Sequence, residues 1–249
     1  MLLIDPPRSA YDLNFHLLGI PVRVHPLFWA VVVLLGLGGN SDPKLMLIWV
    51  GACFVSIVVH EMGHALAARA HGWEPWITLY GLGGLASYQP TRRSPRSQIL
   101  ISLAGPVAGF LFAALVIAVV AAAGHEPRFD PTSRLSMPVD WNLFESRPAN
   151  YLVFDLLYIN IFWGLVNLLP IFPLDGGQIT REVFGLFSGP DGLRQSLWLS
   201  VIIAAGLAVI ALTRLGDQFL AFFFGYLAYT GYSIIRAMFG PSGGLGGYR

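Results

Sequence analysis

Apolar residues in this chain come in long blocks separated by short polar segments. Charge-free stretches run over Pro26–Ser41, Leu45–Val59, Ser97–Gly124, Leu156–Leu174, Gln195–Thr213 and Gln218–Ile235. A helix that crosses a bilayer needs about 17–25 mostly apolar residues. The second stretch reaches that length only if the helix continues through His60–His64 and on to Ala68. Each block then predicts one spanning helix, and the expected fold class is an all-α polytopic membrane protein with six transmembrane helices. Between the second and third blocks, Trp76–Tyr80 and Leu85–Tyr88 are β-prone runs joined by Gly81-Leu82-Gly83-Gly84, a hairpin signal. Their aromatic residues suit the membrane interface. A small membrane-associated β-hairpin between spans 2 and 3 is therefore expected.

Composition supports this reading. The chain is 55% hydrophobic and 12% charged, whereas a soluble domain carries roughly 25% charge. Mean hydropathy is +0.63. A net charge of +1 without a basic run argues against a nucleic-acid partner. Cys53 is the single cysteine, so neither a disulfide nor a cysteine metal cluster can form within the chain.

Met1–Gly19 lacks a compact apolar core with a small-residue cleavage site, and the first span is expected to serve as an uncleaved signal. Residues 1–240 read as one integral membrane domain and 241–249 as a flexible Gly-rich tail. The segment His125–Asn150, with Trp141 and Phe144 near its end, reads as an extracytoplasmic loop capping the bundle. With six spans both termini share a side, and that side holds ten basic residues against five, Arg92, Arg93 and Arg96 among the ten. The excess predicts cytoplasmic termini; a multi-pass protein of a bacterial or archaeal cell membrane is expected.

Candidate chemistry sits inside the second block, at His60-Glu61-Met62-Gly63-His64. Positions i and i+4 lie on one helix face, so His60 and His64 can bind one metal ion while Glu61 reaches its bound water. Two imidazoles could instead bond neighbouring helices, but that alternative leaves an ionisable Glu at membrane depth unexplained. Such residues are costly there and mark functional sites.

A catalytic zinc normally takes three protein ligands, and depth selects the third. His60 is the sixteenth residue from Leu45, or ~22 Å into a core of ~30 Å. Asp175 follows nineteen uncharged residues of the fourth block, in Asn167-Leu168-Leu169-Pro170-Ile171-Phe172-Pro173-Leu174-Asp175-Gly176-Gly177, and reaches a similar depth. Broken helix at such depth must be buried in protein or line a cavity. Asp155 lies near the opposite end of that span. His71, His16 and His25 fall outside the blocks, and Asn160 is expected to pack.

The pairing of H-E-M-G-H with N-L-L-P-I-F-P-L-D-G-G resembles the site-2 protease family of intramembrane zinc metalloproteases. Gly19–Pro26 and Ser102-Leu103-Ala104-Gly105-Pro106 look like further family segments. The layout is similar to the six-span branch that includes sporulation-factor processing proteases. No PDZ-like insertion or C-terminal nucleotide-sensing domain is expected, and Gly109 stands where the family often has Asn.

The resemblance and the residue chemistry together imply Zn²⁺ on His60, His64 and Asp175, with Glu61 as general base. They imply Asn167 as a donor to the oxyanion or to substrate backbone, unless it serves as interhelical hydrogen-bond glue. The implied partners are a membrane-embedded protein substrate and a regulatory membrane protein. The hairpin would receive unwound substrate as an added strand, and the last two spans are candidates for a gate. A divalent-metal transporter would need polar groups through both leaflets and an inverted repeat; a silent chaperone homologue would not need Glu61.

Overall fold

The computed structural model describes residues 7–37, 42–81, 83–90, 93–125, 128–129, 139–140 and 144–240. The expected tail, 241–249, lies outside them. Leu13–Leu17 (β1) and Ile20–Val24 (β2) pair antiparallel around Leu18-Gly19, whose φ values are 49° and 76°. Two positive φ angles match a tight turn to the twist of its strands. Glycine adopts them without strain; Leu18 does not, and Arg69 Nη1 donates to its carbonyl at 2.7 Å. Before β1, Asp12 accepts from Ser9 N at 3.1 Å and pairs with Arg23 of β2 at 3.2 Å. The Ser9 bond and the Arg23 guanidinium hold the Asp12 carboxyl below its usual range.

Helix α1 spans Pro26–Leu37, and α2 spans Pro43–Ala70. Asp42 caps α2 by accepting from Lys44 N at 2.9 Å, with Pro43 at the first helical position, where its missing N–H costs nothing. At 28 residues α2 is about 42 Å long. Trp49 Nε1 of α2 donates to the Val32 carbonyl of α1 at 2.9 Å.

Strands Pro75–Tyr80 (β3) and Gly83–Tyr88 (β4) pair antiparallel, with Ile77 opposite Ala86. Strand β3 also runs parallel to β2, with Val22 opposite Ile77. The hairpin is thus half of a four-stranded sheet of order β1-β2-β3-β4. Alternation along β2 and β3 buries Ile20, Val22, Val24, Ile77 and Leu79 together with Phe28, Val32, Cys53, Val58, Met62 and Ala65. The helix carrying the histidines and the sheet therefore share one core.

Further along, Pro95–Ala122 forms α3, Arg128–Phe129 (β5) pairs with Val139–Asp140 (β6), and Arg147–Leu157 forms α4. Helix α4 runs on as a π-helical stretch, Tyr158–Trp163, and then Gly164–Asn167 (α5). The rest comprises Asp175–Ser188 (α6), Gly192–Ile210 (α7) with a π-helical end at Ala211–Leu215, and Gln218–Phe239 (α8). Two compact units result: residues up to 91 with 104–165, and 92–103 with 166 onward.

In the first unit, Val153 and Leu157 of α4 pack with Ala113 and Val120 of α3, and Phe144 rests against this cluster. The expected capping loop is thus fastened at its end: Asn150 accepts from Phe144 N and donates to Phe144 O, both at 2.8 Å. Trp141 lies outside the described residues. In the second unit, Asp217 caps α8 through Leu220 N at 2.9 Å, and Gly231 of α8 sits against Val201 and Ser200 of α7.

Among the described residues, five helical segments are long and apolar enough to cross a membrane: Pro43–Ala70, Pro95–Ala122, Arg147–Asn167, Gly192–Leu215 and Gln218–Phe239. They carry exposed Leu and Val, Leu111 at 66% and Val119 at 61% among them. So much bare apolar surface requires lipid, and the chain is an integral membrane protein. The block Pro26–Ser41 is not among the five: its described helix, α1, has twelve residues, short of the ~17 that a crossing needs, and 38–41 lie outside the described residues.

Candidate metal centre

Two thirds of the way along α2, the helical repeat places His60 and His64 one turn apart on one face. Their rings stand edge to face at 81°, with centroids 4.8 Å apart. The two Nε2 atoms are 3.1 Å apart. A tetrahedral zinc with Zn–N bonds of about 2.0–2.1 Å holds neighbouring nitrogens roughly 3.3 Å apart. The pair therefore fits a zinc ion. His64 is 8% exposed and Glu61 6%, so both lie away from bulk water.

Glycines make room for this pair. A Cβ on Gly105 of α3 would overlap His64 Nε2, and one on Gly63 would overlap the Ala104 carbonyl and stand 2.8 Å from Ala108 Cβ. Gly63 thus lets α3 approach α2, and Gly105 leaves space for His64 Nε2, a nitrogen that could face a metal. The Ala104-Gly105-Pro106 segment thereby acquires a physical meaning that the sequence alone does not supply. Glu61 touches the sheet: its Oε2 accepts from Ala86 N of β4 at 2.8 Å.

Asn160, expected to pack, does so through hydrogen bonds. Within the π-helical stretch its Nδ2 donates to Ser56 Oγ of α2 at 2.8 Å and to the Leu156 carbonyl at 2.7 Å. A Cβ on Gly109 would lie 3.3 Å from Asn160 Oδ1. The polar group beside Gly109 is therefore supplied by the π-helical stretch that follows α4.

Asp175 and Asn167 belong to the second unit. Asn167 ends α5, half-buried, and Asp175 is the first residue of α6. The seven residues between them form turns: Leu169 N donates to Val166 O, Ile171 N to Leu169 O and Leu174 N to Ile171 O. Phe172 N donates to Ser200 Oγ of α7 at 2.8 Å, and the Phe172–Pro173 peptide is cis. Cβ atoms on Gly176 and Gly177 would overlap or crowd the backbone of Leu168 and of Ile171–Phe172. The two glycines after Asp175 thus allow the turn to fold back on the start of α6. Asp155 is buried in α4, in the first unit.

The sequence profile of Peptidase family M50 matches residues 49–212, well over half of the chain. The protein belongs to this family, the site-2 proteases. It is 28% identical over 201 residues to a zinc metalloprotease of Methanocaldococcus jannaschii, covering 80% of this chain and 52% of that protein. It is 27% identical over 173 residues to stage IV sporulation protein FB of Bacillus subtilis, covering 68% and 48%. The chain thus spans about half the length of these relatives. Its fold is similar to that of the site-2 protease from M. jannaschii, with a TM-score of 0.54, 24% identity and coverage of 90% of this chain and 94% of that one.

Proposed function

We propose that this protein is a zinc metalloendopeptidase that hydrolyses a peptide bond within or near the transmembrane helix of a membrane-bound substrate. The observation that carries the reading is the His60–His64 pair, its Nε2 atoms at zinc-binding separation, with a buried carboxylate beside it on an apolar helix. Asp175 is the third ligand in this reading, on the strength of its place at the break after the fourth span and of the family resemblance. Zinc held by these residues would supply Lewis-acid chemistry, polarising a carbonyl and acidifying a water. Glu61 takes the proton of that water and returns it to the leaving amine. The Asn167 amide donates to the developing oxyanion.

The substrate helix must be extended before it can be cut, and β4, at one edge of the sheet, offers a strand for it to join. Six crossings with both termini cytoplasmic belong to the same reading, the first made by Pro26–Ser41. They put His60 in the cytoplasmic half of the bilayer and the cleavage site with it. The family relationship to the sporulation protein supports a role in regulated intramembrane proteolysis, with a regulatory membrane protein as a further partner.

The direct test incubates the purified protein in detergent with a panel of single-span proteins, with and without a chelator. Cleavage inside the span that chelation stops and zinc restores is expected. A protein that carries zinc yet cleaves no member of a broad panel would count against proteolysis.

A further inference from the structure

Strand β4 is one of the two edge strands of the sheet, and its register decides which of its amides point off the open edge. His25 N, next after β2, donates to Leu79 O at 2.9 Å. Leu79 therefore turns its peptide groups toward β2, and Ile77, two residues earlier, does the same. Ile77 is opposite Ala86, so Ala86 occupies a position that does not bond to β3, and its N–H projects from the free edge. That N–H reaches Glu61 Oε2 at 2.8 Å.

Gly84 lies against the same side chain. A Cβ there would overlap Glu61 Cγ and stand 2.6 Å from Cδ and 2.7 Å from Oε1. Next to it, Gly83 has nothing within 4 Å of the same construction. Of these two adjacent glycines, one alone is required by the room that Glu61 occupies.

We propose that β4 is the positioning element of the general base: the Ala86 amide anchors one oxygen of Glu61, and Gly84 leaves the slot in which the carboxylate lies. This rests on the assignment of Glu61 as base. An anchored Oε2 leaves the carboxylate a single orientation, with Oε1 the atom that takes the water proton. The strand that offers its edge to the substrate is then also the strand that aims the base. A substrate pairing across Ala86 would compete for the anchoring amide, so productive registers are those that leave this N–H to Glu61.

Two measurements test the proposal on the full chain in detergent. The first is residue-resolved amide exchange of zinc-loaded protein. The Ala86 amide, although on an open edge, should be protected, and Glu61→Ala should speed its exchange at least tenfold while Leu85 is unchanged. The second is cleavage of a single-span reporter that the wild type cuts. Gly84→Ala should lower kcat about 10²-fold or more, with zinc content and KM retained, and Gly83→Ala should remain at least tenfold more active than Gly84→Ala. Equal exchange at Ala86 with and without the Glu61 carboxylate, or wild-type kcat in Gly84→Ala, overturns the proposal. If no reporter is cut at all, the reading as a protease is what fails, and the exchange result alone decides the anchoring.

Discussion

Glu61 is separated from its two histidine neighbours by chemistry as much as by position. The imidazoles are suited to hold a metal, whereas the carboxylate accepts from a strand amide. Replacing it by an amide of the same shape should keep the metal and remove the base. Glu61→Gln should therefore retain zinc at wild-type stoichiometry and lose cleavage by roughly 10²–10⁴-fold, read by metal analysis and reporter turnover on one preparation. Near-wild-type turnover would remove Glu61 from the mechanism. The two aspartates, Asp155 buried in α4 and Asp175 half-buried at the start of α6, divide in the same way. Asp175→Ala should lose zinc and activity together, and Asp155→Ala should keep its zinc; the opposite pattern would reverse the depth argument. His60, Glu61 and His64 were legible because one helical turn brings them together, and that turn is a local property. Gly84 and Gly105 were not, because a glycine's role here is the space it leaves for a residue far away in sequence.

At the scale of elements, helix existence followed from apolar block length for five of the six expected spans. For the first, the described helix covers twelve residues of the block, and block length alone does not say how much of an apolar run is helical. The hairpin between α2 and α3 was readable from β-prone runs around glycines. Its incorporation into a four-stranded sheet was not. Strand β1 is mostly exposed, and the β2–β3 pairing is parallel and joins segments on either side of two helices, so no local signal marks it.

Helix α3 yields a test of its own. A methyl group on Gly105 must displace the His64 ring, so Gly105→Ala should weaken zinc binding about 10–100-fold, the usual cost of disturbing a ligand's support. Competition with a chelator of known affinity measures it. An unchanged affinity would mean that α3 yields to the added methyl rather than the histidine. By contrast, Asn160→Leu removes a hydrogen bond between spans, worth about 0.6 kcal/mol on average. It should lower the melting temperature slightly and leave zinc in place.

For the whole molecule the open quantity is topology, and the sequence offers a convenient probe. Cys53 is the only cysteine and is buried, so single cysteines introduced elsewhere can be read against a quiet background. With six crossings, Ser9→Cys and Ser94→Cys should react with a membrane-impermeant maleimide only after the cytoplasmic side is opened, and Glu145→Cys should react in intact cells. If Ser9→Cys and Glu145→Cys both react from outside while Ser94→Cys does not, α1 does not cross and there are five spans. The apolar blocks could not decide this point, because orientation rests on charge outside the helices and the count rests on one short segment.

The π-helical stretch Tyr158–Trp163 has a consequence for length changes in the chain. Hydrogen bonds that reach five residues back accommodate one residue more than the α-helix would. Losing one residue there would let the helix wind straight through as α-helix, and later side chains would keep their direction relative to Val153 and Leu157, whereas the same loss in plain α-helix turns them by about 100°. Gly164, whose Cβ position lies 2.8 Å from the Phe110 ring, would stay against that ring. A one-residue deletion in this segment should therefore be better tolerated than a one-residue deletion within α4, as melting temperatures of the two variants would show.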